Sequence, residues 1–323
     1  MTDINSLLGM LEQKEPDFAA HVVSRREAIA KGAKVSAAVG AAMALGSVPV
    51  ALAAFSKEAY GQSTAATVQD VLNFALMLEI FENEFYKAVL GTSSVAAQNN
   101  AFAPVRALAI AAGAQPVLAQ ISKHEVAHVA FLQANGAVNV LNLSASSFDF
   151  TGARGAGNGP FAPATTNLGF LLATSQGAED TGVRAYKGQA GNLMSNTTVL
   201  EAALRIHSVE ARHASKIRRL RRATGATAVK YSGTVSGGGA AAAGAGNLNP
   251  PQAIVDAFNL IYAGDDNVTH AGVNVTSLSY AAVSGFPSGA DLTTAATEAF
   301  DEALTKAQVT AIVQPFFIPT IPA

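Results

Sequence analysis

The sequence contains no cysteine. That absence removes disulfides, thiolate metal sites and thiol nucleophiles, so a metal held by this chain must take carboxylate oxygen and imidazole nitrogen. Charge is scarce as well. Asp, Glu, Lys and Arg make up 14% of the 323 residues, and the net charge of −2 with a pI near 6.3 leaves no basic footprint, so nucleic acid is not expected as a partner. Strand signals are nearly absent between residues 65 and 223, where helical periodicity carries the pattern. What is abundant is apolar. Hydrophobic residues reach 50%, which excludes a disordered chain and suffices for one large domain with appendages or for two domains.

Residues 1–61 read as an address. Ser24-Arg25-Arg26-Glu27-Ala28-Ile29-Ala30-Lys31 resembles the twin-arginine export motif, with Ala28 where that motif usually carries Phe and the Lys displaced by one. Gly32 to Ala54 follow as a weakly apolar stretch interrupted by Lys34, with a processing signal at Ala51-Leu52-Ala53. The run is short and its Gly, Ala and Ser residues carry little transfer energy, so no stable membrane span is expected after processing. The expected location is the periplasm or cell envelope.

Residues 62–230 predict four amphipathic helices: Val68 to Leu90, stopped by Gly91; a front piece Pro104 to Ala112 followed by Pro116 to Asn135, stopped by Gly136; Leu168 to about Gly188; and Thr198 to about Ala223. The connection Gly136 to Asn167 is far longer than the others and rich in Gly, Ser and Pro. An up-down bundle has no need of it. An all-α four-helix bundle with one long crossover between helices two and three does, and that is the ferritin-like connectivity.

Carboxylates interrupt the inward stripes. The seams read Leu72, Ala75, Glu79, Glu82, Tyr86, Val89; Leu118, Ile121, Glu125, His128, Leu132; Leu168, Leu172, Ser175, Glu179, Gly182, Tyr186; and Ala203, Ile206, Glu210, His213, Ile217, Leu220. Every helix therefore points a Glu inward. A lone buried carboxylate costs several kcal/mol unless protonated, paired or metal-bound, and four facing one core repel one another. Two divalent cations balance four glutamates, and two neutral imidazoles complete a ligand set suited to Fe or Mn. One Glu from each of two helices, with Glu-x-x-His from each of the other two, is the pattern of the di-iron and di-manganese carboxylate bundle. The predicted metal ligands are Glu79, Glu125, His128, Glu179, Glu210 and His213. Glu82, one turn from Glu79, is either a further ligand or a group lining the approach to them. Glu79 and Glu179 are each followed seven residues later by a Tyr and then a Lys. Tyr86 and Tyr186 are thus candidate catalytic residues that bond ligand carboxylates or relay electrons, against the plainer role of packed tyrosines with satisfied hydroxyls. His124 and His207 fall beside the seams and are expected on partly solvated flanks, while His270 has no partner in sequence. Lys216, Arg218, Arg219, Arg221 and Arg222 suit a helix C-terminus.

Asn73-Phe74-Ala75-Leu76-Met77-Leu78-Glu79, Glu84-Phe85-Tyr86, His124-Glu125-Val126-Ala127-His128-Val129, Glu179-Asp180-Thr181-Gly182-Val183 and Val209-Glu210-Ala211-Arg212-His213-Ala214 resemble exported bacterial ferritin-like domain proteins related to plant desiccation-related proteins. The resemblance covers roughly residues 65 to 225. It implies a ferritin-like fold and leaves the reaction open.

Residues 231–323 differ in kind. A Gly/Ala linker, Ser236 to Asn247, leads into a helix at Gln252 to Tyr262, polar loops, and a helix from Glu298 to Val313 before Pro315. This extension carries seven acidic residues and one basic, whereas residues 62–230 carry fourteen basic and ten acidic. Docking on the bundle or on a second copy is expected, with Phe316, Phe317 and Ile318 as an apolar anchor, so a homo-oligomer remains among the expectations. Two function classes follow. One is a di-metal redox enzyme acting with O2 or peroxide by iron oxidation, oxygenation or manganese-catalysed peroxide dismutation. The other is a non-enzymatic envelope stress protein whose metal site is structural or vestigial.

Overall fold

The four long periodic segments form helices whose ends are fixed by local chemistry. In the computed structural model, which describes residues 66–223, 252–270, 272–277 and 290–322, α1 spans Val68–Leu90. It opens with a capping box in which the Thr67 and Asp70 side chains and amides pair reciprocally, and it closes at Gly91, whose φ of +81° is left-handed. The short helices α2 (Ala96–Ala101) and α3 (Ala103–Ala111) precede α4 (Gln115–Ala134), which starts with Pro116 in its first turn. Asn167 caps α5 (Leu168–Gln189) by accepting from the Phe170 amide, and α6 spans Thr197–Ala223. The export motif, the Gly/Ala linker and His21 lie outside the described residues.

Helices α1, α4, α5 and α6 make an all-α bundle in which α1 lies chiefly against α4 and α5 against α6. The seam positions are buried as the periodicity requires, except Leu168, Ala203 and Leu220, which are half-buried. Helix α1 goes further and buries most of its circumference, Phe74, Phe81 and Phe85 included. A helix apolar all round needs cover on its outer side, and two distant segments supply it. The crossover places Phe148 and Phe150 against Phe81, and the C-terminus adds Phe316 and Phe317, with ring centroids 5.5 and 5.6 Å from Phe81. Crossover and C-terminus also share backbone hydrogen bonds: Asp149 N to Phe316 O at 2.8 Å, Arg154 N to Pro315 O at 3.0 Å and Ile318 N to Ser147 O at 2.9 Å. Phe316 and Phe317 act as the expected anchor, while Ile318 is 44% exposed and does not.

Asp149 organises the crossover. One carboxylate oxygen accepts from the Thr151 amide and hydroxyl at 2.9 and 2.5 Å, and the other from the amides of Gly155 and Gly157 at 2.8 and 3.0 Å. Burial opposes its ionisation, but these bonds outweigh burial and hold the carboxyl below its usual range. Asp149→Asn replaces one acceptor oxygen by a donor and leaves donors facing a donor. We expect a loss of about 2–3 kcal/mol in urea denaturation near neutral pH, shrinking as pH falls through the depressed native pKa; an unchanged midpoint would sink this account.

The extension forms α7 (Gln252–Ile261), a two-residue hairpin of β1 (Thr269–His270) and β2 (Val273–Asn274), α8 (Ala290–Ala299) and α9 (Lys306–Val313). The single helix expected from Glu298 to Val313 is therefore interrupted. The reason is visible in the backbone. The carbonyl of Glu302 accepts from Arg184 at 2.6 Å, that of Asp301 accepts from Lys187, and Leu304 N donates to the Arg184 carbonyl at 3.1 Å, so these groups are spent on α5 instead of on a helix ladder. Thr305 then starts α9 with a fresh capping box. Side chains of the extension, among them Phe258, Leu304, Val309 and Phe317, belong to the same apolar core as the bundle.

Candidate metal centre

Six side chains converge midway along the bundle: Glu79 from α1, Glu125 and His128 from α4, Glu179 from α5, Glu210 and His213 from α6. All are buried. Helical spacing of three brings each Glu-x-x-His pair to one face. The Nδ1 atom of His128 lies 3.0 Å from Glu79 Oε2, 3.1 Å from Glu125 Oε2 and 3.2 Å from Glu210 Oε1. That of His213 lies 3.0 Å from both Glu179 Oε2 and Glu125 Oε1, and 3.9 Å from Glu210 Oε2. Two overlapping groups result, Glu79–Glu125–His128–Glu210 and Glu125–Glu179–Glu210–His213, each offering ligand atoms within 4.8 Å of one another. Glu125 and Glu210 belong to both.

The tyrosines cross between the halves of the bundle. Tyr86 donates to Glu179 Oε1, and Tyr186 donates to Glu79 Oε1 at 2.6 Å. Burial raises both phenols well above their usual range, and the nearby carboxylates raise them further, so they stay protonated and keep donating. Glu125 Oε1 and Glu210 Oε1 are buried with only an imidazole nitrogen beside them, and Glu210 Oε2 is buried without a hydrogen-bond partner. Desolvation pushes Glu125 up to about 7 and Glu210 well above its ordinary value. Burial alone would discharge the two imidazoles. Hydrogen bonds that the imidazoles donate to the glutamates outweigh it, lifting His128 to about 12 and His213 to about 10.

This environment is compatible with metal binding. Four buried carboxylates sharing two imidazole nitrogens and two phenols, with Glu210 Oε2 left without a donor, are costly as they stand. Carboxylate oxygen with imidazole nitrogen is also the donor set of Fe and Mn sites.

Glu82 lies beside the six but outside both groups. A Cβ on Gly182 would stand 3.3 Å from Glu82 Oε1 and 3.2 Å from Glu210 Oε2, so the glycine makes room for both carboxylates. Burial first, then repulsion from Glu210 and Glu179, raises Glu82 well above its ordinary range. Gly182→Ala should displace one of these side chains by a few tenths of an ångström. Its expected signature is reduced metal uptake with unchanged helical content, checked by metal analysis beside circular dichroism.

Other expectations met different outcomes. His124 is not merely a solvated flank residue: its Nδ1 lies 2.8 Å from His213 Nε2 and the rings stack at 5.1 Å. Its spacing of four from His128, one helical turn, is the signal that could have found it. His207 does lie away from the six, with Nδ1 3.0 Å from the Val183 carbonyl. His270 stacks on Phe300 at 3.8 Å. Within the basic run, Arg221 is fully buried and donates to Gln176 at 2.6 Å, beside Tyr262, which donates to Asp180 at 2.6 Å. A helix dipole does not account for that residue; a polar joint between α5, α6 and α7 does.

Residues 67–223 match the family model described as Ferritin-like domain. The fold is thus a ferritin-like helical bundle with an additional C-terminal extension. No curated protein and no solved structure matches the chain. Among the described residues no helix is long and apolar enough to cross a membrane.

Proposed function

We propose that this chain is an exported di-metal protein whose six converging ligands hold two Fe or two Mn ions for redox chemistry with O2 or peroxide. The observation that carries this is that Glu125 and Glu210, buried and common to the two overlapping ligand groups, have no donor beyond the two imidazoles. When bound, such a pair supplies two electrons in one encounter with an oxidant. The protein's own part is positional. Glu79 and Glu179 would each hold one ion from one side, with the opposite tyrosine fixing the orientation of the carboxylate. Glu125 and Glu210, common to both groups, would help to hold both ions. His124 would steady His213 through the ring nitrogen that faces away from the glutamates.

Metal analysis of protein purified from its native compartment should find close to two Fe or Mn per chain, together with Fe2+ oxidation or H2O2 removal. His128→Ala and His213→Ala should lower occupancy while helical content holds, because Leu118, Ile121, Leu132, Ile206 and Ile217 stay packed. Metal-free protein, indistinguishable from the two variants, would instead favour the non-enzymatic stress role. The address is tested separately. With Arg25 and Arg26 both changed to Lys, the protein should remain in the cytoplasm at full length; normal export would remove the twin-arginine assignment.

A further inference from the structure

The extension does more than cover α1. Between α1, α5 and the extension lies an apolar pocket with a free volume of about 30 Å3. Its outer wall is built by Phe258 and Ile261 of α7, Ile312 and Val313 of α9, and Phe316. Its inner end is Glu82 and Gly182, the pair packed against Glu210 at the metal centre. Among the described residues on the wall, Glu82 is the only one that ionises. Small residues keep the passage open. Gly177, Ala178 and Ala257 line it, and a Cβ on Gly177 would stand 3.1 Å from Ile261 Cδ1 and 3.3 Å from Phe258 Cζ.

We propose that this pocket is a binding and entry site for a small apolar molecule of the size of dioxygen, delivered to the Glu82 side of the metal pair, with the C-terminal extension as its outer wall. The proposal rests on the di-metal reading for its destination but on this pocket alone for its existence. Size limits the occupant: a single water needs about 10–15 Å3 by the same measure, so this space takes a molecule of two or so heavy atoms. Polarity limits it further. An apolar cavity of this kind excludes water and accepts nonpolar guests such as xenon, while hydrogen peroxide would forfeit its hydrogen bonds on entering. A second, wider opening of about 270 Å3 lies between α1, α4 and α6 and reaches Tyr186, with Glu201 and Arg205 on its lining. Apart from those two side chains its lining is mainly apolar as well, among it Leu72, Phe131, Leu132 and Ile206, which makes it the competing route.

The test has two arms. Crystals of the full chain pressurised with xenon should show the gas seated between Phe258 and Glu82; no xenon there overturns the pocket. In the second arm, Fe2+-loaded protein prepared anaerobically is mixed with O2 or with H2O2. Ala178→Leu narrows the pocket from the bundle side and Ala257→Phe from the extension, so either keeps the test alive if the other fails to fold. Oxidation by O2 should slow about tenfold, equivalent to 1.4 kcal/mol on the entry barrier, with metal content and the H2O2 rate unchanged. An unchanged O2 rate overturns the route and transfers it to the Tyr186 opening, and equal slowing with both oxidants overturns it as general damage. Xenon seated in protein that binds no metal fails the di-metal reading while leaving the pocket in place.

Discussion

Metal-free protein is expected to melt at a lower temperature at pH 8 than at pH 5, and added Fe2+ or Mn2+ to reverse the loss at pH 8. The sign follows from the directions of the shifts. Glu125 rises from an ordinary 4.5 to about 7, and Glu210 and Glu82 are also raised well above the ordinary value. A carboxyl whose folded pKa is raised contributes stability fully below its unfolded pKa and loses it as pH climbs through the folded value. For Glu125 that window is pH 4.5 to 7, on the order of 3 kcal/mol. His128 and His213, lifted to about 12 and 10, act in the same direction at higher pH, because the unfolded imidazoles release their protons first. Cations compete with these protons and so bind more tightly as pH rises. At a thousandfold excess over Kd they add about 4 kcal/mol, roughly 10 °C for a chain of this size. Scanning calorimetry at both pH values decides the matter. A pH 8 midpoint that metal does not raise would falsify the two-cation reading.

Arg184→Leu should release the extension. The guanidinium is fully buried and donates to the carbonyls of Glu302, Ile261 and Ala263, with Asp265 3.6 Å away. These acceptors come from two separate stretches of the extension, so one planar fork ties both to α5. Its loss leaves buried carbonyls without their donor and takes the cation away from the buried Asp265 carboxylate, a cost of about 3–5 kcal/mol. Limited proteolysis should then cut within residues 252–322 at a protease dose that leaves the wild type intact. Arg184→Lys should give nearly the same result, since an ammonium cannot span the three carbonyls. A lysine variant as resistant as wild type would show that the fork is not what holds the extension.

The inward seams were legible in the sequence because a buried carboxylate stands out against an apolar stripe, and four such interruptions at compatible depths imply one site. The outer cover of α1 was not. Periodicity reports that Phe81 and Phe85 are apolar, but not that Phe148 and Phe317 would meet them from distant positions in the chain. Arg184 and Arg221 were unreadable for a related reason. Arginine on a helix is ordinarily solvated, and only distant partners make burial tolerable: carbonyls at and just after the end of α7 and before α9 for Arg184, and the Gln176 side chain for Arg221. His124 was misjudged because its ring contacts another imidazole across the bundle, a relation that the seam of its own helix does not display.

The tyrosine crossing has a consequence for the equivalence of the two cation positions. Exchanging Glu79, Tyr86, Glu125 and His128 with Glu179, Tyr186, Glu210 and His213 converts one ligand group into the other, so the centre has an approximate two-fold axis along the bundle. The axis fails at one place. Three residues after Glu79 stands Glu82, and three residues after Glu179 stands Gly182, whose missing side chain leaves the space that Glu82 uses. An extra carboxylate on one side of a symmetric cage makes the two positions inequivalent, in charge as well as in access. The cations should therefore load in sequence rather than together, and Glu82→Gln should draw the two steps of a titration closer to one.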